Sequence, residues 1–239
     1  MSLSKQLLLR FGPQKNKVFD NFLPTNNKTV VDHLHHLCQS NLGVSYQTYL
    51  WGPPSSGKSH LLQATCSAIT HRSKRSIYLP LQLVGDKVSS ILNGLESVDL
   101  VCIDEAEFIA ESKIDIEGPL FNLINRVRDE NGCLLVAGRS NPRQLALRLS
   151  DLKSRLLWGS VHKLTAITDE HKPAALALHA KLNGTEIPAV AITYLLNHYP
   201  RDMDSLIKVV NHISRVGFQC KHRLTIPFVK RVLAEMPRV

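Results

Sequence analysis

The sequence is poor in the features that mark membrane, fibrous and disordered proteins. Its longest apolar runs are short, such as Cys133 to Ala137, whereas a membrane-spanning helix needs about 20 apolar residues. Glycine and proline contribute 12 residues each, too few for a collagenous or low-complexity chain. Hydrophobic residues make up 44% of the 239 positions and charged residues 21%. The sequence therefore predicts a soluble globular protein with a sizeable core and no membrane contact.

The sequence has few cysteines, and their spacing does not suggest disulfide bonds or a zinc site. The five cysteines are odd in number, scattered and never in CxxC spacing: Cys38, Cys66, Cys102, Cys133 and Cys220. This pattern predicts neither a disulfide framework nor a zinc site. A three-leucine run between Lys5 and Arg10 is too short for the core of a signal peptide and lacks a small-residue cleavage site. We therefore expect an unexported protein of the reducing cytoplasm.

Acidic residues are in deficit, and the excess of positive charge is unevenly placed. The formal net charge is +9. Residues 1–31 and residues 165–239 each carry +4, while the block between them carries +1. Basic flanks favour contact with something anionic, either nucleic acid or an acidic protein surface. A solvated basic surface that only aids solubility fits the same charge equally well.

The sequence divides into three segments, of which the first two end at Leu164. Residues 1–26 are polar, contain Gly12-Pro13 and Pro24, and show no sustained periodicity, which predicts an extended arm. Residues 27–164 alternate short apolar runs with helical patterns, including a helix capped by Asn27 and one over Val84–Leu95. The strand candidates are Tyr49–Trp51, Ile77–Leu79, Val98–Ile103, Cys133–Ala137 and Val161–Leu164. This alternation predicts an α/β fold, a parallel sheet with helices on both faces.

Strand signals fade after Leu164. Thr168 or Asp169 is the predicted cap of a helix that carries Pro173 near its first turn. Further helical patterns cover Pro188–His198, Asp202–Val216 and Ile226–Ala234. Residues 165–239 are therefore predicted to form a small all-helical domain.

A phosphate-binding loop is predicted between the first strand and the helix after it. The segment from Gly52 to Ser59 satisfies G-x-x-x-x-G-K-[ST]. Glycines let the backbone wrap around phosphates, and the amides at the start of a helix form an anion-binding nest. Lys58 would neutralise the β- and γ-phosphates while the Ser59 hydroxyl binds Mg²⁺. The predicted nucleotide-binding residues here are Gly52, Pro53, Ser55, Ser56, Gly57, Lys58, Ser59 and His60.

A pair of carboxylates follows the predicted strand Val98–Ile103. Mg²⁺ bound with a nucleotide needs an outer carboxylate, and Asp104 and Glu105 stand directly after this strand. Asp104 would hold the metal's shell, and Glu105 would orient or deprotonate the attacking water. Acidic residues also follow strands as simple loop residues, so this assignment depends on the phosphate-binding loop upstream.

Four segments resemble the AAA+ module of the bacterial replication initiator family, DnaA. They are Phe19–Phe22, Gly57–Leu62, Ile103-Asp104 and Leu152–Gly159. The similarity runs from Val18 essentially to the end of the sequence. It implies an AAA+ P-loop base and a helical lid that bind ADP or ATP with Mg²⁺. No residues remain for that family's helix-turn-helix DNA-binding domain, so we expect at most weak, non-specific DNA contact.

A DnaA-like module with a short amino-terminal arm resembles the Hda-type family of regulatory inactivators of DnaA. Members carry a glutamine-led hydrophobic peptide that docks on the DNA polymerase III sliding clamp, the β subunit. Gln6 to Phe11 resembles this peptide, with Gln6 fixing the orientation and Leu9 and Phe11 filling an apolar pocket. Leu7 completes the predicted partner-binding set. The alternative is an arm that packs its leucines on its own domain.

The resemblance also implies roles for residues outside the loop. Arg155 matches the family's arginine finger, which is offered to the γ-phosphate bound by a neighbouring subunit. Arg201 matches the sensor II arginine, which reaches bound nucleotide from the lid. Phe19 and Phe22 match the segment that lines the adenine pocket. The alternatives are a surface ion pair for either arginine and a hydrophobic staple for the phenylalanines.

One position departs from the family's pattern. Arg139 stands at sensor I, where the family usually has Asp or another small polar residue. Ser140 and Asn141 remain as groups that could reach the attacking water. We therefore expect the protein's own ATP hydrolysis to be weak, and whether the chain is itself an enzyme is left open.

The resemblance thus implies a regulator of replication initiation that docks on DnaA. With the DNA-loaded sliding clamp it would use Arg155 to trigger hydrolysis of DnaA-bound ATP and so prevent re-initiation. Two alternatives stay open: an autonomous ATPase that loads or remodels a helicase, and a DNA-binding accessory protein. The residues do not decide the resting nucleotide, or whether the chain forms a homodimer or a higher oligomer.

Overall fold

The computed structural model describes residues 17–39, 47–84, 87–95, 98–220 and 224–235. The predicted clamp-binding peptide, Gln6 to Phe11, lies outside these residues. The chain divides into two compact units. The first comprises residues 1–19 and 26–166, and the second comprises residues 20–25 and 167–239.

The first unit is built on a five-stranded parallel sheet. Its strands are β1 (Gln47–Trp51), β2 (Ser76–Pro80), β3 (Leu100–Asp104), β4 (Cys133–Gly138) and β5 (Ser160–Lys163). Their order across the sheet is β2-β3-β4-β1-β5. Trp51 pairs with Gly138 on one side and with Lys163 on the other. The carboxyl ends of β1, β3 and β4 therefore meet at one edge of the sheet.

The central strands are apolar because helices cover both faces of the sheet. Every residue of β3 and β4 is buried, as a parallel sheet between two helical layers requires. The predicted α/β fold, with its parallel sheet and helical second unit, is confirmed. The strand predicted from Val98 begins two residues later, at Leu100, and the strand predicted from Val161 begins at Ser160.

Helices of the first unit pack against this sheet. They are α1 (Lys28–Gln39), α2 (Lys58–His71), α3 (Leu81–Val84), α4 (Val88–Leu92), α5 (Phe108–Glu111), α6 (Glu117–Asp129) and α7 (Ser150–Leu156). The prediction of one helix over Val84–Leu95 is wrong, because α3 ends at Val84 and α4 ends at Leu92. The second helix begins only at Val88, and Gly85 and Asp86 lie outside the described residues.

Asn27 does not serve as the local cap that the sequence predicts. Its side-chain Oδ1 accepts a hydrogen bond from the backbone N–H of Thr165 at 2.9 Å, and its Nδ2 donates to the Thr165 carbonyl at 2.9 Å. Asn27 is buried, so pairing with a backbone segment far away in sequence satisfies both ends of its amide. The tertiary contact thus replaces the predicted helix cap.

The second unit is helical. Its helices are α8 (Lys172–Leu182), α9 (Ala189–His198), α10 (Met203–Cys220) and α11 (Ile226–Ala234). Leu176, Leu195, Leu206, Val210 and Phe228 belong to a hydrophobic core of their own. His171 occupies the N-cap position of α8, without a capping hydrogen bond from its side chain, so the predicted cap at Thr168 or Asp169 is wrong. The Asp169 carboxylate accepts hydrogen bonds from Lys172 and Arg201 instead.

None of the described helices is both long enough and apolar enough to cross a membrane.

Candidate functional site

The loop after β1 has the geometry of a phosphate cradle. A side chain at Gly52 would collide with the carbonyl of Leu164, so only glycine fits at this position. Gly57 has a φ of 92° and immediately precedes α2, a left-handed conformation that suits glycine. Because Gly57 has no side chain, nothing on that residue covers the first amides of α2, which have no acceptor within the helix.

Lys58 lies inside the curve of this loop. Its Nζ donates to the carbonyl oxygens of Gly52 at 2.8 Å and Pro53 at 2.7 Å, and it lies 3.4 Å from the Ser56 hydroxyl. The ammonium group is therefore held against the phosphate loop, at the start of α2. A cation, a helix amino terminus and a glycine-lined backbone fit a phosphate group.

The two predicted Mg²⁺ ligands, Ser59 and Asp104, meet at Tyr78. Asp104 ends β3 and is only 2% exposed. Its Oδ2 accepts a hydrogen bond from the Tyr78 hydroxyl at 2.7 Å, and its Oδ1 accepts one from the backbone N–H of Glu105 at 2.9 Å. The Tyr78 hydroxyl also interacts with the side chain of Ser59. Oxygen donors at this position suit Mg²⁺.

Tyr78, the middle residue of β2, was not predicted from the sequence, although its hydroxyl lies beside a predicted metal ligand. Burial raises the pKa of Tyr78, and the adjacent Asp104 carboxylate raises it further. The hydroxyl therefore stays protonated and donates a hydrogen bond to Asp104. A side chain with a hydroxyl inside an apolar run was the available signal.

Glu105 follows Asp104 in a strained backbone conformation. Its φ is 63°, which is uncommon for a residue with a side chain. Its Oε2 accepts a hydrogen bond from the backbone N–H of Gln82 at 3.2 Å. Burial raises the pKa of Glu105, with Asp104 and Glu107 acting in the same direction, while the Gln82 N–H lowers it. A carboxylate with a raised pKa is a better base for a water molecule.

Arg139, at the predicted sensor I position, is held by Glu107. Arg139 Nε lies 2.8 Å from Glu107 Oε1, and the Arg139 backbone N–H donates to Oε2 at 3.1 Å. Asn141 uses its Oδ1 to accept from the backbone N–H of Arg143 at 3.0 Å, which caps the turn Pro142–Gln144. The sequence argument missed Glu107 as the partner of Arg139.

The predicted adenine-pocket residues, Phe19 and Phe22, belong to different units. The ring of Phe19 stacks obliquely on His35, with 4.2 Å between ring centroids. His60 Nε2 lies 2.8 Å from the carbonyl oxygen of Val18, so the first turn of α2 holds the segment that carries Phe19. Phe22 is half-buried and belongs to the second unit.

Arg155 lies in the last turn of α7, with its backbone fixed at the start of β1. Its carbonyl oxygen accepts hydrogen bonds from Gln47 Nε2 at 2.6 Å and from the backbone N–H of Trp158 at 3.1 Å. Gln47 is the first residue of β1, whereas the phosphate loop follows the last one. At about 3.3 Å per residue, the two ends of this strand are about 13 Å apart. The structure therefore places Arg155 at the opposite end of β1 from the chain's own phosphate loop.

Arg201, in the second unit, is held by an ion pair. Arg201 donates to Asp169 Oδ2 at 2.9 Å, and Lys172 Nζ donates to Asp169 Oδ1 at 2.6 Å. Lys172 and then Arg201 lower the pKa of Asp169. The carboxylate thus keeps its charge and remains the partner of both cations.

Fold and site together define a P-loop protein of the AAA+ class. The parallel sheet of order β2-β3-β4-β1-β5, the phosphate loop after β1, the carboxylates after β3 and the helical second unit are its features. Residues 14–163 match the family model of the bacterial DnaA ATPase domain. The chain belongs to that family, and it is therefore a replication-initiation-related AAA+ protein. Residues 169–233 match the model of the Hda lid domain.

Several solved structures share this fold. Domain III of the Thermotoga maritima replication initiation protein DnaA is 17% identical and has a TM-score of 0.76, covering 93% of this chain and 97% of that one. AMPPCP-bound DnaA from Aquifex aeolicus is 20% identical with a TM-score of 0.70, covering 87% of this chain and 68% of that one. The Thermotoga maritima RuvB branch migration motor is 20% identical with a TM-score of 0.62, covering 91% of this chain and 71% of that one.

Proposed function

We propose that the phosphate loop binds ADP or ATP with Mg²⁺. Lys58 and the amides at the start of α2 would hold the phosphates, while the Ser59 hydroxyl and the Asp104 carboxylate would hold the metal's shell. Mg²⁺ supplies charge neutralisation of the phosphates when it is bound. The AMPPCP-bound DnaA of similar fold supports an adenine nucleotide as the ligand.

We propose further that the protein promotes, in trans, the hydrolysis of ATP bound to DnaA. The position of Arg155 is the observation that carries this proposal. Its carbonyl is tied to the start of β1, about 13 Å along the strand from the chain's own phosphate loop. An arginine anchored at that end of the strand would be able to meet a nucleotide on another molecule, where its guanidinium would stabilise the negative charge of the transition state.

DnaA is the proposed partner, and the DNA-loaded sliding clamp is the proposed tether. Both family models support a DnaA-related partner, since one describes the DnaA ATPase domain and the other the Hda lid. The peptide Gln6 to Phe11 supports the clamp by its sequence alone. The assembly would act in the cytoplasm, and lowering the amount of ATP-bound DnaA would prevent re-initiation.

The chain's own nucleotide would serve mainly as a conformational ligand. Arg139, at the predicted sensor I position, is paired with Glu107. A guanidinium engaged by a carboxylate would contribute little to hydrolysis of the chain's own nucleotide. Arg201 is proposed as the contribution of the lid to nucleotide binding. A ligand that contacts only one of two conformations shifts the population towards it, so binding would favour one arrangement of the protein without turnover.

The deciding experiment measures hydrolysis of ATP preloaded on DnaA, in the presence of clamp loaded on DNA. Wild type should accelerate hydrolysis, and Arg155→Ala should abolish the acceleration by removing the charge. Gln6→Ala should also abolish the acceleration, because it removes the proposed contact with the clamp. Arg75→Ala, an exposed arginine paired with Asp99, and Gln14→Ala in the same arm are the matched controls and should behave as wild type. Absence of any acceleration by wild type would contradict the proposal.

An autonomous ATPase acting as a helicase loader is the second candidate, and Glu105 is the observation that favours it. Its raised pKa and its position beside Asp104 are those of a general base. Turnover of ATP by the isolated protein tests this function. Brisk hydrolysis by wild type that disappears in Glu105→Gln, together with no effect on DnaA-bound ATP, would establish the loader-type function instead.

A further inference from the structure

Arg155 lies against an exposed tryptophan to which the sequence argument gave no role. The Arg155 guanidinium carbon is 3.5 Å from the centroid of the Trp158 ring system. Arg128 lies over the same ring system at 4.4 Å. Trp158 is 43% exposed, so solvent and a docking partner can reach this stack. An arginine three residues before a tryptophan at a helix end was the signal in the sequence.

The backbone of this turn places the indole beside Arg155. After α7 ends at Leu156, the Trp158 N–H donates to the Arg155 carbonyl at 3.1 Å. Gln47 donates to the same carbonyl. A side chain at Gly159 would overlap the backbone of Gln47, so this residue must be glycine for the turn to lie against β1. Two hydrogen bonds and one close approach thus fix the backbone. The guanidinium lies closest to Trp158, and the Phe121 ring centroid is farther away, at 5.5 Å.

Two other arginines of the first unit are held by carboxylates instead. Arg139 pairs with Glu107 and Arg148 pairs with Glu117. Among the ion pairs between described residues, none includes Arg155. A carboxylate occupies the N–H groups at the edge of a guanidinium and neutralises its charge. An aromatic face contacts only the flat side of the guanidinium, so the charge and the N–H donors in its plane remain available.

We propose that Trp158 is a positioning residue that presents Arg155 to the terminal phosphate of a nucleotide bound by another protein. The inference rests on the proposed function, because it assigns Trp158 a role in the same trans-acting step. Trp158 limits the orientations of the guanidinium before the partner docks, and it does so without using the donors that the phosphate needs. Less orientational freedom is then lost when the transition state forms.

The stack itself is tested by fluorine NMR on protein labelled with 5-fluorotryptophan. The chain has two tryptophans, and Trp158→Phe assigns the two resonances to Trp51 and Trp158. Arg155→Ala should shift the Trp158 resonance and leave that of Trp51 in place, while Arg75→Ala should shift neither. An unchanged Trp158 resonance in Arg155→Ala would show that the stack is absent in solution and would overturn the proposal.

The role of the stack is tested by the acceleration of hydrolysis of DnaA-bound ATP as a function of protein concentration. Trp158→Leu should lower the maximal rate by about tenfold, within the range expected for a lost cation–π contact. The concentration giving half of the maximal rate should stay within about twofold of wild type, because docking is not the step affected. Trp158→Phe keeps an aromatic face and should retain most of the rate.

Each remaining outcome is informative. An unchanged maximal rate in Trp158→Leu overturns the positioning role while leaving the proposed function intact. A raised half-maximal concentration with an unchanged maximal rate makes Trp158 a docking residue, which also overturns it. If wild type itself gives no acceleration, the proposed function fails, and the fluorine shifts then report a stack that positions nothing.

Discussion

Asp104 is a buried carboxylate whose hydrogen bonds come from Tyr78 and from the backbone of Glu105. We predict that Tyr78→Phe lowers the free energy of unfolding by about 2 kcal/mol, because a buried charged acceptor loses a donor. Adding Mg²⁺ with ADP should restore part of the loss, since the metal's shell would then satisfy Asp104. Urea denaturation with and without Mg²⁺-ADP measures both effects.

Tyr194→Phe is the control for this substitution. Tyr194 lies in the second unit, where its ring stacks on His198 with 4.0 Å between centroids. The loss of one hydroxyl there should change the free energy of unfolding much less and should not respond specifically to Mg²⁺. Equal losses in the two variants would show that the hydrogen bond to Asp104 has no special weight.

His33 and His162 form a second pair whose environment has a measurable consequence. Their ring centroids are 4.6 Å apart, and His33 Nε2 lies 3.0 Å from the Thr48 hydroxyl. Burial lowers the pKa of both residues, and the positive charges of His162 and His36 lower that of His33 further. The unfolded chain therefore binds protons more readily than the folded one. Stability present above about pH 6.5 should be lost as the pH falls below that value.

We predict that His162→Phe makes the free energy of unfolding less dependent on pH between 8 and 5.5 than it is in wild type. Phenylalanine keeps an aromatic ring against His33 and removes one titrating group. Urea denaturation across this range measures the difference, above most of the range in which carboxylates titrate. The exposed His71, changed to phenylalanine as the control, should keep the slope of wild type. A His162→Phe variant with an unaltered slope would refute the linkage.

At the scale of elements, the turn from α7 into β5 fixes the position of Arg155. We predict that Gly159→Ala lowers the free energy of unfolding by about 1–3 kcal/mol, because the new methyl group must displace the backbone at Gln47. The same displacement should weaken acceleration of hydrolysis by DnaA. Gly94→Ala is the matched control, since an added Cβ there would make only ordinary contact, 3.8 Å from the Ile91 carbonyl. Comparable losses in both variants would contradict this account of the turn.

Elements with a strong apolar pattern could be predicted from the sequence, whereas contacts distant in sequence could not. The buried strands β3 and β4 are continuous apolar runs, so both were recognised to within a few residues. The strand order needed the structure, because no local pattern encodes which strands pair. The predicted cap at Asn27 failed for a related reason: its amide pairs with Thr165, far along the chain.

Within the site, too, residues in local motifs could be predicted from the sequence, whereas contacts between distant residues could not. Lys58 and Asp104 stand in motifs whose spacing reflects their chemistry, so the residues could be named in advance. Tyr78 and Glu107 act through contacts between different elements, with Asp104 and Arg139 respectively, and no spacing in the sequence brings these pairs together. Trp158 is intermediate, because it is local to Arg155 but belongs to no motif with an assigned chemistry.

At the scale of the whole molecule, we expect nucleotide binding to stabilise the folded protein. A ligand that binds only the folded state stabilises it, by about 2.7 kcal/mol at a hundred times the dissociation constant. We predict that Mg²⁺-ADP raises the midpoint of thermal unfolding of wild type and that Lys58→Ala abolishes this rise. Lys113→Ala, an exposed lysine outside the loop, should leave it unchanged.

The second unit gives the sharper prediction: on the proposal that Arg201 binds the nucleotide, Asp169 would compete with the phosphate for Arg201. Asp169 holds both Arg201 and Lys172, so Asp169→Asn should release the guanidinium and tighten binding of ADP. Arg201→Ala should weaken binding, and the double variant should match Arg201→Ala if the effect of Asp169 on nucleotide binding passes through Arg201 and not through Lys172, its other partner. Isothermal titration of the four proteins measures these affinities. If Asp169→Asn tightens binding equally in the absence of Arg201, the effect is general electrostatics and Arg201 has no role in holding the nucleotide.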